Sequence, residues 1–418
     1  MHLKTILNRV YRHKGFVYQN GRFVAEGDGR ERIEVGVEPR RNGRAVCSGC
    51  GRRRAGYDRL GERRYQMVPV LGFAVYLVYR PRRVDCRCCG VKVEQVPWAK
   101  GKETTTQAFQ WYLVFWTKYL ALSRVAEIFR TNWHTVYEAV ERAMEWGLAR
   151  RRLDNVQSIG VDEVQWRKGH HYLTLVYQLD AGCRRLLYVG LDRTADSLRG
   201  FFSAMPEQLA GGLQYVCSDM WRPYLEVLKE CAGQAVHVLD RYHIVAKLNK
   251  AIDEVRAAEA QRMKASGHEP VLKHSRWCLL KRPENLSAGQ GSKLRELLRF
   301  NLKTVRAYLL KEEFQQLWEY VAPGWAGHFL AGWLTKAMRS RIEPMKKVAR
   351  TLRKHRALIL NWFKARGEIS AGIVEGQNYN VKLMVRRSYG VRTYRAMETL
   401  LYHQLGDLPV SELAHRFV

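Results

Sequence analysis

Ile159-Gly160-Val161-Asp162 and Tyr215-Val216-Cys217-Ser218-Asp219 are two apolar runs that each end on an aspartate. A short apolar run closed by a polar residue reads as a buried strand, so both carboxylates fall at strand ends. Far downstream, Val374-Glu375-Gly376-Gln377-Asn378 brings a third acid. Two strand-end aspartates and a late glutamate can hold a pair of Mg²⁺ ions, one activating an attacking oxygen and the other stabilising a leaving oxygen, with the metals roughly 3.5–4 Å apart.

Working outward from these runs, strands fit 156–164, 172–179, 185–191, 214–218 and 235–239, and helices fit 195–205 and 221–231. Three strands, then helix, strand, helix, strand is the order of an RNase H-like α/β core. In that fold the first and fourth strands are neighbours, which sets Asp162 beside Asp219. Each acid has a competitor. Glu163 adjoins Asp162 and could take its role. Asp240 also follows a strand, but it is the fifth strand rather than the fourth, so a structural role fits it better. Glu375 could be an acid placed only to favour a helix N-terminus. His243 could orient a phosphate or cap the long helix that follows, and capping is the preferred reading. His170 and His171 read as a turn between the first two strands.

Residues 1–100 are mostly β in pattern. Phe16-Val17-Tyr18-Gln19 and Arg22-Phe23-Val24 flank Asn20-Gly21, a two-residue hairpin signal, and Ile33, Val35 and Val37 alternate with polar residues. The segment carries 22 basic and 9 acidic residues, so it reads as a DNA-contacting module. It also holds Cys47-Ser48-Gly49-Cys50 and Cys86-Arg87-Cys88-Cys89. Two such knuckles, each followed by a glycine, predict a tetrahedral Zn²⁺ site on Cys47, Cys50, Cys86 and Cys89, with Cys88 an alternative to Cys89. The scattered Cys183, Cys217, Cys231 and Cys278 read as buried small hydrophobes.

Residues 101–152 change to a helical period. Helices over 107–119, 123–129 (with Ser123 as N-cap) and 133–146 have the rhythm of a helix-turn-helix, whose second helix lies in the major groove. Arg124, Asn132, Trp133, His134 and Thr135 then approach DNA. After the core segment 153–243, residues 244–368 read as a helical insertion. Ile244, Leu248, Ile252 and Val255 form one apolar face there, and Leu294, Leu297, Leu298, Leu302, Val305 and Leu309 form another; Pro283 and Gly289 to Gly291 punctuate it. The stretch 336–366 holds 11 Lys and Arg against Glu343, a balance suited to phosphates. Residues 369–418 return to the core with Glu375, then a stripe of Lys382, Arg386 and Arg387 that could face phosphates.

The fold expected is therefore multidomain α+β, with a β-rich zinc-knuckle module, a helix-turn-helix and a core interrupted by helices. The net charge of +31 makes nucleic acid the default partner. No apolar signal opens the sequence, and the longest apolar stretch, 67–79, is too short to span a bilayer. Nine cysteines without an export signal favour metal over disulfides. The expectation is a cytoplasmic, nucleoid-associated protein with no membrane contact.

Gly160-Val161-Asp162-Glu163, Ser218-Asp219-Met220 with Tyr224, Asp240-Arg241-Tyr242-His243 and Val374-Glu375-Gly376-Gln377-Asn378, continued by Lys382, Arg386, Arg387, Tyr389-Gly390 and Arg392, occur in one order. In this the chain resembles bacterial insertion-sequence transposases of the DDE type, most closely the ISL-three family. The resemblance implies that Asp162, Asp219 and Glu375 bind two Mg²⁺ ions, or Mn²⁺ in their place. Water then attacks a phosphodiester at the element end, and the freed 3′-hydroxyl attacks target DNA. It also implies double-stranded DNA as partner and a homodimer or larger assembly on paired inverted-repeat ends. The competing readings are a DNA-binding regulator or domesticated relative that does not cut, and a shorter resolvase-type nuclease. After about Met397 the resemblance gives out.

Overall fold

The computed structural model describes residues 3–27, 29–267, 271–365, 371–388 and 391–414; within 371–387, the side chains of 371–373 and 375 also lie outside the described residues. Two compact units divide the chain: Met1–Arg151 with Gly390–Val418, and Arg152–Tyr389.

The first unit opens with α1 (Leu3–Val10), β1 (Phe16–Ala25) and β2 (Glu31–Pro39). Asn20-Gly21 forms no hairpin. β1 runs through it and pairs antiparallel with β2 from Phe16↔Pro39 to Ala25↔Glu31, with a bulge between Tyr18 and Gly21. A two-residue hairpin turn of the I′ type needs positive φ at both residues, and Gly21 is not among the positive-φ glycines. Its missing side chain serves packing instead, since a Cβ there would lie 3.2 Å from Leu3 of α1. The short strands β3 (Ala45–Val46), β4 (Arg53–Arg54) and β5 (Gly56–Arg59) follow, then the hairpin of β6 (Arg63–Val70) and β7 (Phe73–Tyr79), then β8 (Arg82–Cys86) and β9 (Gly90–Val93). Among the described residues the larger sheet has the order β1-β2-β7-β6, and the ribbon strands order as β3-β4 and β5-β8-β9. Ile33, Val35 and Val37 point inward as expected and pack with Tyr65, Leu77 and Trp98.

Three helices succeed them: α2 (Gln107–Thr117), α3 (Leu122–Ile128) and α4 (Trp133–Leu148). The N-cap of α3 is Ala121, without a side-chain bond, so Ser123 is not the cap; it is the second residue of the helix. Buried Leu122 anchors that first turn one residue earlier than the polar signal suggests.

The second unit begins with β10 (Ser158–Arg167), β11 (His171–Gln178) and β12 (Leu186–Leu191), an antiparallel meander. Then come α5 (Ala195–Ala204), α6 (Glu207–Gly212), β13 (Tyr215–Ser218), α7 (Arg222–Cys231) and β14 (Val236–Leu239). The sheet order is β12-β11-β10-β13-β14, with β13 parallel to both neighbours. Leu198 and Phe201 of α5 and Tyr224, Val227 and Leu228 of α7 cover it, with Ile159, Val161 and Val216 beneath. His170, with φ +65°, and Gly169 turn the chain from β10 into β11.

A helical layer follows: α8 (Arg241–Ala265), α9 (Arg276–Leu280), α10 (Ala288–Leu297), α11 (Lys303–Gln315), α12 (Pro323–Arg339), α13 (Glu343–Lys354) and α14 (Arg356–Lys364). Ile244, Leu248, Ile252 and Val255 share its core. The second apolar face is split between two helices, and Leu298 and Leu309 are exposed. Gly289 and Gly291 lie inside α10, because the Ser287–Gln290 capping box starts the helix ahead of them. Next, α15 (Ala371–Arg387) packs on β10. Finally α16 (Tyr394–Leu405) joins the first unit against α4.

Candidate active site and metal-binding cluster

In the first unit, the turn after β3 carries Cys47 and Cys50. The Gly51 amide donates to the Cys47 carbonyl at 2.9 Å, and Gly51 takes φ +70°. The turn after β8 closes one residue sooner, the Cys89 amide donating to the Cys86 carbonyl at 3.1 Å, and again ends on a positive-φ glycine, Gly90 at +68°. The sulfurs of Cys47, Cys50, Cys86 and Cys89 all lie within 4.8 Å of one another. Cys88 is exposed and outside the cluster. Gly49 leaves room for this closure, since a Cβ there would stand 2.9 Å from the Cys89 sulfur. Among the described residues, only Ala45 and Val84 join the cysteines in the small core beneath the thiolates. So thin a core relies on a metal for its stability, and four converging sulfurs suit tetrahedral Zn²⁺. A buried Glu94, gripped within the ribbon by Arg82 through two bonds to Oε2 of 3.0 and 2.7 Å, accepts from the Tyr79 hydroxyl of β7 and so ties the ribbon to the sheet. Of the other cysteines, Cys217 and Cys278 are buried, while Cys183 and Cys231 are only half-buried.

On the helices of this unit, Arg130 with φ +51° turns the chain between α3 and α4. Asn132 caps α4, its Oδ1 accepting from the Thr135 amide at 2.8 Å. Trp133 stacks on Tyr137 at 5.2 Å. Arg124, Asn132 and His134 are exposed, and Trp133 and Thr135 half-buried. Arg124 pairs with Glu127 at 2.7 Å.

In the second unit, the Gly160↔Cys217 pairing of parallel strands puts positions 162 and 219 opposite each other. Ser218↔Leu239 likewise makes Asp219 and Asp240 the first residues past β13 and β14. Asp162 thus stands level with Asp219 and Asp240, but it is not a strand end as expected: β10 leaves β13 after Gly160 and continues against β11 to Arg167. The three aspartate side chains part company. Oxygens of Asp162 and Asp240 and a ring nitrogen of His243 lie within 4.8 Å of one another, with His243 Nε2 3.6 Å from Asp162 Oδ2 and 3.8 Å from Asp240 Oδ2. Asp219 turns instead to Arg193 at 3.3 Å and accepts from the Trp221 amide at 2.8 Å. Arg193 also holds Glu163 at 3.0 Å and lies over the Trp221 ring at 4.5 Å. Consecutive strand residues face opposite ways, so β10 offers Asp162 to one face and Glu163 to the other.

The charges respond to this crowding. Burial, with Asp219 and Asp162 nearby, pushes Glu163 up to about 7 against the pull of Arg193. Burial would lower His243, but the bond to Asp162 and the charges of Asp240 and Asp219 raise it to about 9. Glu163 Oε2 is buried without a hydrogen-bond partner. Clustered carboxylates, one of them with a desolvated spare oxygen, suit a hard divalent cation such as Mg²⁺.

His243 does not cap α8. That role falls to Asp240, whose Oδ1 accepts from the Tyr242 amide at 2.7 Å, leaving the imidazole free to turn toward Asp162. Glu375 lies on α15, and its side chain is outside the described residues, as are Tyr389 and Gly390. Its neighbours fix where the helix runs. Val374 packs on Gly160, where a Cβ would come 2.7 Å from Val374 Cγ2, and Asn378 Nδ2 donates to Asp162 Oδ2. Lys382, Arg386 and Arg387 are exposed on the same helix. Sequence reasoning gave no role to Arg193 or Asn378. Arg193 follows β12 and had no motif to flag it, while Asn378, three residues beyond Glu375, had helical spacing as a signal.

Residues 159–401, more than half of the chain, match the model of the DDE domain of ISL-three elements, described as transposase. Residues 43–89 match the zinc-finger of transposases IS204, IS1001, IS1096 and IS1165. The chain is 29% identical over 379 residues to the transposase for insertion sequence element IS1001 of Bordetella parapertussis, covering 88% of this chain and 92% of that protein. It is also 29% identical over 401 residues to the transposase for insertion sequence element IS1557 of Mycobacterium tuberculosis, covering 90% and 88%. No described helix is long and apolar enough to cross a membrane.

Proposed function

The chain belongs to the ISL-three family of DDE transposases, and from that premise we propose that it cuts the inverted-repeat ends of an insertion sequence and joins them to target DNA. The alignment of Asp162, within β10, with Asp219 and Asp240, just past the ends of the neighbouring β13 and β14, carries this reading. We read the five-stranded unit as an RNase H-like core, with Asp162, Asp219 and Glu375 holding the catalytic ions. Two Mg²⁺ ions, or Mn²⁺, bound there would supply activation of the attacking oxygen and stabilisation of the leaving one. The protein's own part is to hold the carboxylates ionised and close, and to keep the scissile phosphate in line. Arg193 and His243 offset the charge of the acids when they are crowded together. No side-chain nucleophile is needed, because water and then a 3′-hydroxyl attack.

End recognition falls, in this reading, to the first unit. The zinc ribbon on Cys47, Cys50, Cys86 and Cys89 and a helix-turn-helix of α3 and α4 contact duplex DNA, with Arg124, Asn132, Trp133, His134 and Thr135 nearest to it. Asn132 and Thr135 also set the start of α4, so their effect on DNA is partly through that helix. Lys382, Arg386 and Arg387 grip phosphates beside the reacting strand. A homodimer or larger assembly brings two ends together, in the bacterial cytoplasm at the nucleoid. The residue ranges 1–100, 101–152, 153–243, 244–368 and 369–418 serve as working domains.

A regulator that only binds DNA has no use for these acids. Packing desolvated carboxylates together costs stability, and binding alone gives nothing to offset that cost. Asp219→Asn tests the assignment. On a duplex carrying the element end, cleavage should vanish while binding stays within about twofold; cleavage at a normal rate removes Asp219 from the site.

A further inference from the structure

Asn378 sits on α15, 6% exposed, with an amide that spans two partners. Nδ2 donates to Asp162 Oδ2, and Oδ1 accepts from the Tyr177 hydroxyl at 2.8 Å. Tyr177 is fully buried on β11, directly across the ladder from Gly160. A side-chain amide can be turned either way, and an ionised carboxylate, which only accepts, demands its NH₂ end. The Tyr177 hydroxyl secures that orientation by donating to Oδ1, which holds the NH₂ group on the carboxylate. Asp162 is thus held from two sides, since its Oδ1 accepts from the Glu163 amide at 2.8 Å.

The same contact sets a helix. Asn378 follows Glu375 by three residues, close to one helical turn. A bond from Asn378 to β10, together with Val374 seated over Gly160, fixes both the height and the rotation of α15 on the strand that carries Asp162. Residues 162 and 375 are far apart in sequence, so the fold needs some such brace to bring the two positions into a constant relation.

We propose that Asn378, oriented by the Tyr177 hydroxyl, is a positioning residue for metal binding: it aims the Asp162 carboxylate and registers the helix of Glu375 against it. This rests on Asp162 being a metal ligand. It assigns to the amide a task that neither charge nor packing performs, because an apolar residue of similar size would fill the space without choosing an oxygen.

The test uses full-length protein and four variants: Tyr177→Phe, Asn378→Ala, Asn378→Asp and Asp162→Asn. Mn²⁺ affinity is measured by titration calorimetry without DNA, end binding by fluorescence anisotropy, cleavage by gel assay over a Mg²⁺ series, and folding by thermal melting. Misplacing a reacting group by about 1 Å can cost about 100-fold in rate. Asn378→Ala should therefore lose about that much cleavage, weaken Mn²⁺ binding severalfold and raise the half-saturating Mg²⁺, with end binding within about twofold. Tyr177→Phe keeps the ring and should move all three in the same direction by about tenfold or less. Asn378→Asp replaces the donor with a second negative charge against Asp162 and should cleave less than Asn378→Ala.

Normal Mn²⁺ affinity and normal cleavage in both Tyr177→Phe and Asn378→Ala would overturn the proposal. So would a loss of cleavage that follows a lowered melting temperature while metal affinity stays unchanged in Tyr177→Phe. Asp162→Asn separates the two levels. If it still cleaves, the reading of Asp162 fails; if it is dead while the amide and phenol variants behave as wild type, only the positioning role fails.

Discussion

Gly160 matters for what it lacks. Its hydrogen lets Val374 of α15 settle onto β10, and Leu179 crowds the same point at 3.0 Å from a would-be Cβ. Gly160→Ala should thus lift the helix, at about 1–3 kcal/mol, the usual penalty of overpacking. A fall in melting temperature together with reduced cleavage would bear this out; an unchanged melt would not. At Glu34 charge decides instead of space. The residue is buried on β2, and burial would raise it, yet bonds from Arg64 at 2.9 Å, Arg22 at 3.1 Å and Arg32 at 2.9 Å bring it down to about 2. A carboxyl depressed from about 4.5 adds stability above that value and loses it as pH falls toward 2. Glu34→Gln should flatten the acid limb of the stability curve between those limits and cost on the order of 2 kcal/mol at neutral pH. At this scale the aspartates were legible because each closed an apolar run. The partners of Asp162 and Asp219 were not: Arg193, and Asn378 with the Tyr177 that bonds to it, come from separate elements, and only tertiary packing unites them.

Elements were read well where one period dominated. The five strands of the second unit and the helices α2, α4, α5 and α7 fall within a few residues of their predicted bounds, since alternation and helical spacing are strong in each. Errors arose where a local signal met a stronger tertiary demand. Asn20-Gly21 carries hairpin chemistry, but a buried partner strand holds β1 extended. Ser123 is a good capping residue, yet Leu122 is drawn into the core and starts the helix earlier. The ribbon was readable from cysteine spacing, and its dependence on metal gives a direct prediction. Cys47→Ser should release about one zinc per chain and weaken end binding, measured by metal analysis and anisotropy. Zinc-free wild-type protein with full end binding would refute the role of the thiolates.

At the scale of the molecule, charge is the dominant feature. Helix α13 buries Met345, Val348, Ala349 and Leu352 and leaves Lys347, Arg350, Arg353 and Lys354 in solvent. Of these, Arg350 is partly engaged by Glu343 at 2.9 Å. Replacing Lys347, Arg353 and Lys354 by alanine should reduce the slope of log affinity against log salt by about 0.9 for each phosphate no longer neutralised. An unchanged slope would mean that the basic face lies away from DNA.

The return of α16 to the first unit was the feature least visible in sequence, since nothing in residues 394–405 names a partner some 250 positions away. Yet the joint is extensive. His403 and Thr117 share a buried bond of 2.9 Å, Gln404 donates to the Thr117 carbonyl at 2.7 Å, and Arg395 pairs with Glu141 at 2.8 Å. On the ribosome, the segment proposed to read the element end must therefore wait, unfinished, until the segment proposed to cut has been made. A nascent or truncated chain short of residue 390 would hold every proposed cutting residue and still lack a completed grip on its address.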